Sequence, residues 1–288
     1  MIDKLEMLIA LSVERHFGRA AIAFGVTQPT LSSAIRALEE QLGVQLVVRG
    51  ARFQGLTPEG ERTLVWARRI VNDARLLREE MRSARFGIAG HLRLGVIPTA
   101  LARVADITAP FLAAHPAVRL TIRSASSTEI IEGLDSFDLD AGVSYTDDLP
   151  ARLSTLPLFV ERYRLVERST ITAPISWEDA AARPLCLLSA EMQNRRIIDE
   201  HLRDTGLASE PRLSSNSTIA LLAHVATGPW AAILPEALAE GLMLPAGCTA
   251  RALLPEAGHP VGFVLPAREM AGRDLISPAL KALLAQVD

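Results

Sequence analysis

The chain has 288 residues, of which 49% are apolar and 22% charged, a composition typical of folded globular domains rather than of a disordered chain. Its two cysteines exclude a disulfide framework and a zinc-finger quartet, and its length predicts two domains, with three small ones as the alternative. An acid at position 3 and no early apolar run argue against a signal peptide. The uncharged stretch 213–235 is split by Gly228-Pro229, which favours a buried helix and strand over a membrane span. The sequence therefore predicts a soluble, cytoplasmic protein with no membrane partner.

Charge is divided unevenly along the chain. Residues 1–86 contain 13 Lys and Arg against 10 Asp and Glu, whereas residues 87–288 contain 17 against 23. The positive N-terminal excess allows a nucleic-acid module, but it is smaller than such modules often carry. The residue pattern, rather than bulk charge, must therefore indicate the partner.

Residues 1–58 have the pattern of a compact helical unit. Apolar residues recur at helical spacing over 5–13, and the segment 18–24 predicts a second, short helix. Thr27 as N-cap and Pro29 in the first turn predict a third helix over 28–42. Small polar side chains and an Arg on its outer face suit a helix that reads DNA in the major groove. A plain helical interaction module remains the alternative, because helix-Gly-helix units are common.

A β-wing is predicted after the third helix. The short extended runs 44–49 and 56–58 flank a glycine-bounded loop at 50–55. Arg49 and Arg52 are placed to reach phosphate or the minor groove. A solvated hairpin without DNA contacts is the alternative.

Four segments of this unit resemble the LysR-type transcriptional regulators. They read HFGRAA at 16–21, VTQPTLS at 26–32, IRALEEQLG at 35–43 and LTPEG at 56–60. The resemblance implies a winged helix-turn-helix that binds double-stranded promoter or operator DNA. It also implies that residues at the start of the third helix touch the DNA.

Two positions depart from the pattern of that family. Ser33 stands where many members carry Arg, and the wing segment 47–50 lacks the usual Phe-Glu-Arg. The half-site preference and the packing of the wing are therefore expected to differ. The predicted DNA-contacting set is Gln28, Pro29, Thr30, Ser32, Ser33, Arg36, Arg49 and Arg52.

A long helix is predicted from Pro58 to Arg85. Its apolar residues alternate at spacings of three and four, which is the seam of a coiled coil. A helix packed on its own domain is the alternative, because a single apolar stripe needs only one covering surface. The LysR resemblance implies that this linker helix pairs two subunits and that two dimers form a homotetramer. The predicted dimerisation residues are Ala67, Ile70, Ala74, Leu77 and Met81.

Beyond a hinge at 86–90, strands and helices alternate. The β-α-β-α-β order predicts a parallel sheet, and a second set follows, so that two crossovers join two α/β lobes around a cleft. The LysR resemblance identifies this part as a periplasmic-binding-protein-like (type 2) effector domain. The predicted fold is thus α/β with an N-terminal all-α domain. The predicted segments are 1–58 for DNA binding, 59–86 for the linker and 87–288 for the effector domain, with lobe I at 91–161 and 267–288 and lobe II at 162–266.

Polar residues open several of the predicted helices directly after strands. Such starts present backbone N–H groups and hydroxyls to an anion, whereas ordinary N-capping needs no ligand. The resemblance adds that the ends of the first two strands commonly line the effector site. The predicted effector is a small carboxylate, formate included. The predicted effector-binding set is Thr99, Ala100, Ser127, Thr128, Asn194, Ser217 and Thr218.

Nothing in the sequence predicts catalysis, a cofactor or a metal site. The six histidines lack ligand spacing, and Cys186 lies in an apolar run that predicts a core thiol. No P-loop, GxGxxG or GxSxG motif is found. The predicted function is a ligand-responsive DNA-binding regulator, with RNA polymerase as a further candidate partner. A small-molecule binding protein or enzyme with a helical appendage is the alternative. Residues 16–21 and 52–62 also resemble LysR members associated with formate dehydrogenase operons.

Overall fold

The structure, a computed structural model, describes residues 1–48, 50, 53–206, 210–239, 244–266 and 276–287. The chain divides into two compact units, Met1–Gly87 and Ile88–Asp288. Within the described ranges, no helix combines the length and the apolar character that a membrane crossing requires.

The first unit is built from α1 (Ile2–Glu14), α2 (Phe17–Phe24), α3 (Gln28–Leu42) and α4 (Pro58–Phe86). The Thr27 hydroxyl accepts a hydrogen bond from the Thr30 N–H and caps α3, which confirms the predicted start of this helix. The helices enclose an aliphatic core. Its fully buried members include Leu8, Leu11, Leu31 and Leu38.

The segment between α3 and α4 contains less sheet than the predicted wing. Val47 and Leu56 form a single antiparallel bridge, and the Val48 N–H donates to the Gly55 carbonyl at 3.0 Å. These contacts bring the two ends of the segment together, as the prediction of a hairpin requires.

The start of α4 packs tightly against this segment. The Thr57 hydroxyl caps the helix by accepting from the Gly60 N–H at 2.9 Å. A Cβ placed on Gly60 would lie 2.0 Å from the carbonyl oxygen of Leu46, so the close approach requires glycine. Seven residues further along α4, Ala67 is fully buried.

The first lobe of the second unit has a parallel sheet, as predicted. Strand β1 pairs in parallel with both β2 and β3. A 3₁₀ turn at Pro98–Ala100 follows β1 and leads directly into α5. The elements are β1 (Gly90–Val96), α5 (Leu101–Ala114), β2 (Val118–Ser124), α6 (Ser127–Asp135) and β3 (Ala141–Tyr145).

The second lobe also contains a parallel arrangement, because β6 pairs in parallel with β7 and β8. The short strand β7 has no counterpart in the sequence prediction. The elements are β5 (Ile175–Ser176), α7 (Trp177–Ala181), β6 (Leu185–Leu188), α8 (Gln193–Asp204), β7 (Leu213–Ser215), α9 (Thr218–Thr227), β8 (Ala231–Pro235), α10 (Glu236–Ala239) and β9 (Cys248–Leu254).

Two long antiparallel strands connect the lobes. Strand β4 (Leu153–Arg168) pairs with β10 (Gly258–Pro266) and, over 163–167, with β8. The main path of the sheet is therefore β2-β1-β3-β10-β4-β8-β6-β7. The final helix, α11 (Pro278–Leu284), packs against β1 and α5, so the chain returns to the first lobe as predicted.

Candidate functional sites

The outer face of α3 carries the predicted DNA-contacting residues. Gln28, Ser32 and Arg36 follow one another at four-residue intervals and line one groove together with Val47 and Val48. Pro29, Thr30 and Ser33 are exposed at the start of the same helix. This end of α3 is therefore accessible to a large partner such as duplex DNA.

Two interactions shape this groove and were missed by the sequence reasoning. One carboxylate oxygen of Glu39 accepts the backbone N–H groups of Leu46 and Val47, at 2.8 and 3.2 Å. The His16 Nδ1 accepts from the N–H groups of Gly18 and Arg19 and so caps α2. A glutamate or histidine in these roles has no distinctive spacing, so the sequence offers little signal for either.

The predicted wing residues Arg49 and Arg52 lie outside the described residues. Their contacts with phosphate or the minor groove therefore stay predictions.

The predicted dimerisation residues fall into two groups on α4. Ile70, Leu77 and Met81 expose 40%, 59% and 57% of their surface, and Ala74 is half-buried. Ala67, by contrast, is fully buried in the core of the first unit, because the early turns of α4 pack against α1. Ala67 therefore differs from the prediction, and the exposed apolar strip begins at Ile70.

A small cavity lies where the carboxyl ends of β1, β2, β3 and β6 meet. Ligands of parallel α/β sheets commonly bind at this edge. The space open to the centre of a water molecule is about 10 Å³, roughly enough for one water. The cavity is lined by Ile97, Pro98, Thr99, Ser126, Ser127, Tyr145, Leu188, Met192, Gln193 and Asn194.

Three of the predicted effector residues meet at this cavity. Thr99 comes from the 3₁₀ turn after β1, Ser127 from the start of α6 and Asn194 from the start of α8. Ala100 is buried next to Thr99, whereas Thr128 is exposed on α6. Residues from both lobes thus converge on one point.

Ser217 and Thr218 are not among the residues that line the cavity. Strand β7, which precedes them, is the last strand of the sheet path beyond β6, and it carries the start of α9 away from the junction. The Ser217 hydroxyl accepts from the Ala220 N–H at 3.4 Å, which is an ordinary helix cap. The structure therefore separates this pair from the other predicted effector residues.

Helix α6 opens at Ser127, as predicted, and a capping box holds its start. Ser126, rather than Ser127, is the N-cap, in a capping box with Glu129. The hydrogen bonds from Ser126 lower the pKa of Glu129. The Ser127 hydroxyl accepts from Ser144 at 2.9 Å, which leaves its own hydrogen for a further acceptor.

A buried acid behind the cavity was also missed by the sequence reasoning. The Tyr145 hydroxyl donates to Glu161 Oε1, the Tyr163 hydroxyl lies 3.3 Å from that of Tyr145, and Asn194 Nδ2 donates to Tyr145 at 3.4 Å. Burial raises the pKa of Glu161 to about 7, against the lowering effect of the Tyr145 hydrogen bond. Burial also raises the pKa of Tyr145 and of Tyr163. The alternation of β4 places Glu161 and Tyr163 on one face, but periodicity does not say which face is buried.

The cluster formed by Thr99, Tyr145, Glu161, Tyr163 and Asn194 contains most of the unpaired buried polar side-chain atoms of the described chain. Among the described residues, four buried side-chain oxygens lack a hydrogen-bond partner, and three of them lie in this cluster: Thr99 Oγ1, Glu161 Oε2 and Asn194 Oδ1. Their residues are only 2%, 3% and 3% exposed. Buried polar groups are nearly always paired, so this concentration marks a place where a partner is expected.

Two histidines and a tryptophan extend the cluster. His201 Nε2 lies 3.4 Å from His259 Nε2, and the Trp177 ring stacks on His201 at 4.6 Å. Burial lowers the pKa of His201. Across the described ranges, no three His, Cys, Asp or Glu side chains form a group that holds a metal ion.

Both cysteines are buried and unreactive in character. Cys186 Sγ donates to the Ala231 carbonyl at 3.4 Å, and burial raises the pKa of its thiol to about 11. Burial also raises the pKa of Cys248. Since the thiolate is the nucleophilic form, these surroundings confirm Cys186 as a core thiol.

Two family descriptions match the chain and together cover most of it. Residues 87–287 match the "LysR substrate binding domain", and residues 2–61 match the "Bacterial regulatory helix-turn-helix protein, lysR family". The chain belongs to the LysR family of bacterial transcriptional regulators. Its first unit thus matches a helix-turn-helix description and its second unit a substrate-binding description of that family.

Curated relatives are named for a peroxide response. The hydrogen peroxide-inducible genes activator of Haemophilus influenzae is 33% identical over 165 residues, which are 57% of this chain and 55% of that protein. The DNA-binding transcriptional dual regulator OxyR of Escherichia coli K12 is 31% identical over 191 residues, 66% of this chain and 61% of that one. The chain thus matches little more than half the length of these relatives.

Solved structures of whole regulators share the fold. Full-length OxyR C199D of Pseudomonas aeruginosa is 25% identical, with a TM-score of 0.74 over 100% of this chain and 97% of that chain. CbnR in complex with its target DNA is 20% identical, with a TM-score of 0.70 over 100% and 98% of the two chains. The CbnR similarity shows the fold alone.

Proposed function

We propose that this chain reads operator DNA with the exposed face of α3 and that a small molecule in the cavity at Thr99, Ser127 and Asn194 controls it. The observation that carries the proposal is the convergence of these three polar residues, from both lobes, on one cavity. A ligand that prefers one arrangement of the lobes shifts the population of DNA-binding states.

The DNA part of the proposal rests on the accessible start of α3. Side chains there enter the major groove, and the free N–H groups of the helix start attract phosphate. Gln28 and Ser32 are proposed to read bases, while Arg36 contacts the backbone together with Arg49 and Arg52. Pro29, Thr30 and Ser33 complete the contact surface.

The proposed effector is a small carboxylate such as formate. The Ser127 hydroxyl has a hydrogen to donate, and the first-turn N–H groups of α6 favour an anion by about 0.3–1 kcal/mol. No Lys or Arg is among the cavity-lining residues, so binding by this end alone is expected to be weak. Formate is larger than one water molecule, so the proposed binding requires the two lobes to move apart.

Peroxide sensing through a thiol has less support in this chain. The relatives described above are named for hydrogen peroxide, but Cys186 and Cys248 are buried with raised pKa values, and neither lines the cavity. We therefore propose reversible binding of an effector rather than oxidation of cysteine. The resemblance to members associated with formate dehydrogenase operons finds no support among those relatives.

The proposed assembly is a tetramer made of two dimers. The exposed strip of Ile70, Ala74, Leu77 and Met81 on α4 provides a surface for a second copy of the helix. Contact with RNA polymerase at the promoter remains part of the proposal.

Calorimetry of the full chain with formate and acetate tests the effector site. Ser127→Ala removes the hydroxyl that faces the cavity and is expected to raise the dissociation constant several-fold. Ser217→Ala, which removes a serine outside the cavity, is the matched control and should bind as wild type. Absence of carboxylate binding, or equal affinity in both variants, contradicts the proposed site.

A further inference from the structure

The three unpaired oxygens behind and beside the cavity belong to one connected cluster. Thr99 and Asn194 line the cavity directly. Both side chains also lower the pKa of Glu161, which places them next to its carboxyl group. The unpaired oxygens of these three residues therefore lie close together beside this small space.

The hydrogen bonds already made by these side chains show that donors, rather than acceptors, are missing at this space. The Asn194 amide already donates through Nδ2 to Tyr145, so its unpaired Oδ1 needs a donor. Glu161 Oε1 already accepts from Tyr145, whereas Oε2 makes no hydrogen bond of good geometry and can accept from a further donor. A carboxylate ligand has no hydrogen to offer and cannot satisfy these two acceptors.

The charge of Glu161 also favours a ligand group that donates hydrogen bonds. None of the groups that shift the pKa of Glu161 is a Lys or Arg, so among the described residues its carboxylate is buried without a cationic side-chain partner. A buried charge is costly unless it is paired and hydrogen-bonded. A positively charged ligand group offsets that cost.

We propose that this cluster binds a primary ammonium group, whose three N–H bonds donate to Thr99 Oγ1, Glu161 Oε2 and Asn194 Oδ1. An ammonium group carries three donors and one positive charge, which matches three oxygens and one carboxylate. It is close to a water molecule in size, and the cavity has room for about one water.

This inference deepens the proposed function, on which it rests, by naming the effector class. The carboxylate end of the effector lies at Ser127 and its ammonium end at Glu161, so the effector is a small amino acid or a similar zwitterion. The starts of α6 and α8 by themselves favour an anion. The ammonium end therefore depends on the full negative charge of Glu161.

Glycine, acetate and methylamine test the two ends of the effector separately, because acetate carries the carboxylate, methylamine the ammonium group and glycine both. In calorimetry of the full chain at pH 8, where Glu161 is ionised, glycine is expected to bind at least tenfold more tightly than acetate. Glu161→Gln keeps the shape of the side chain and should remove this advantage while leaving acetate binding unchanged. Glu132→Gln, at an exposed position of α6, is the matched control and should keep the advantage.

A second variant tests the same site in case Glu161→Gln does not fold. Thr99→Val removes one acceptor without changing charge and should weaken methylamine binding several-fold. Acetate binding without any advantage for glycine overturns the ammonium site but leaves the carboxylate site intact. Methylamine binding without acetate binding supports the ammonium site and contradicts the carboxylate end. Absence of binding by all three probes overturns both proposals.

Discussion

The buried carboxyl of Glu161 makes the stability of the second unit depend on pH. In the unfolded chain this group titrates near 4.5, and in the folded chain burial raises its pKa to about 7. The folded state therefore holds the proton more tightly. The stabilising contribution of Glu161 is complete below pH 4.5, falls as the pH rises to about 7 and changes no further above that, with a total loss on the order of 3 kcal/mol.

Urea unfolding at a series of pH values between 5 and 8 measures this effect. Trp66→Phe removes the tryptophan of the first unit, so the fluorescence then comes from Trp177 and Trp230. Glu161→Gln should flatten the decline, whereas Glu132→Gln should retain it. His201 has a lowered pKa and acts in the opposite sense, since its contribution is lost as the pH falls. The difference in the free energy of unfolding between Glu161→Gln and the parent chain gives the contribution of Glu161 at each pH. If the free energy of unfolding of Glu161→Gln falls with pH as steeply as that of the parent, Glu161 is not the group responsible.

Gln28 is expected to carry sequence preference rather than general affinity. Its side chain is exposed at the start of α3, where we propose that base-edge contacts are made. Gln28→Ala should cost about 1–3 kcal/mol on an operator selected from a random DNA library and much less on unselected DNA. Fluorescence anisotropy with both DNAs measures the two losses.

Gln41→Ala provides the control for this prediction. Gln41 is also exposed on α3, near its opposite end, where its amide accepts from Lys4 Nζ at 3.1 Å. This variant should bind both DNAs as wild type does. Equal losses on operator and unselected DNA for Gln28→Ala would contradict base reading.

At the scale of elements, the second half of α4 is expected to hold two subunits together. Leu77→Glu with Met81→Glu would bury charges in the paired strip and should dissociate the dimer. Sedimentation velocity of the full chain measures the change in mass. Arg82→Glu alters charge beside the strip and should leave the dimer intact. A dimer that survives the double substitution places the interface elsewhere.

Elements with strong local signals were predicted well. Helix α3 has the predicted bounds and begins at the predicted cap, because apolar period and capping residues are properties of a few neighbours in sequence. The predicted meeting of Thr99 and Ser127 followed from the order of parallel strands. Local patterns thus defined the main elements and part of the candidate site.

Features that depend on distant pairing were not predictable in the same way. The edge position of β7, which moves Ser217 away from the cavity, depends on strand order across the whole sheet. The burial of Glu161 depends on side chains from other elements, Tyr145 at the end of β3 and Asn194 of α8. The burial of Ala67 depends on α1 packing against α4. Each of these outcomes is decided by a tertiary contact that a single segment does not encode.

At the scale of the whole molecule, the response to oxidants is expected to be small. Both thiols are protonated and buried, and thiolate is the form that peroxide oxidises. Treating the full chain with hydrogen peroxide should leave operator affinity unchanged within twofold. The Cys186→Ser, Cys248→Ser chain should behave identically. A peroxide-dependent change that disappears in this cysteine-free chain would establish thiol sensing.

The two strands that cross between the lobes also restrict how the second unit can be taken apart. Strand β4 contributes its first half to one lobe and its second half to the other, and β10 pairs along it for most of that length. Cutting the chain between the lobes leaves each fragment with an unpaired strand edge. We therefore expect separately produced lobes to aggregate or to reassociate by fragment complementation, rather than to persist as monomeric modules.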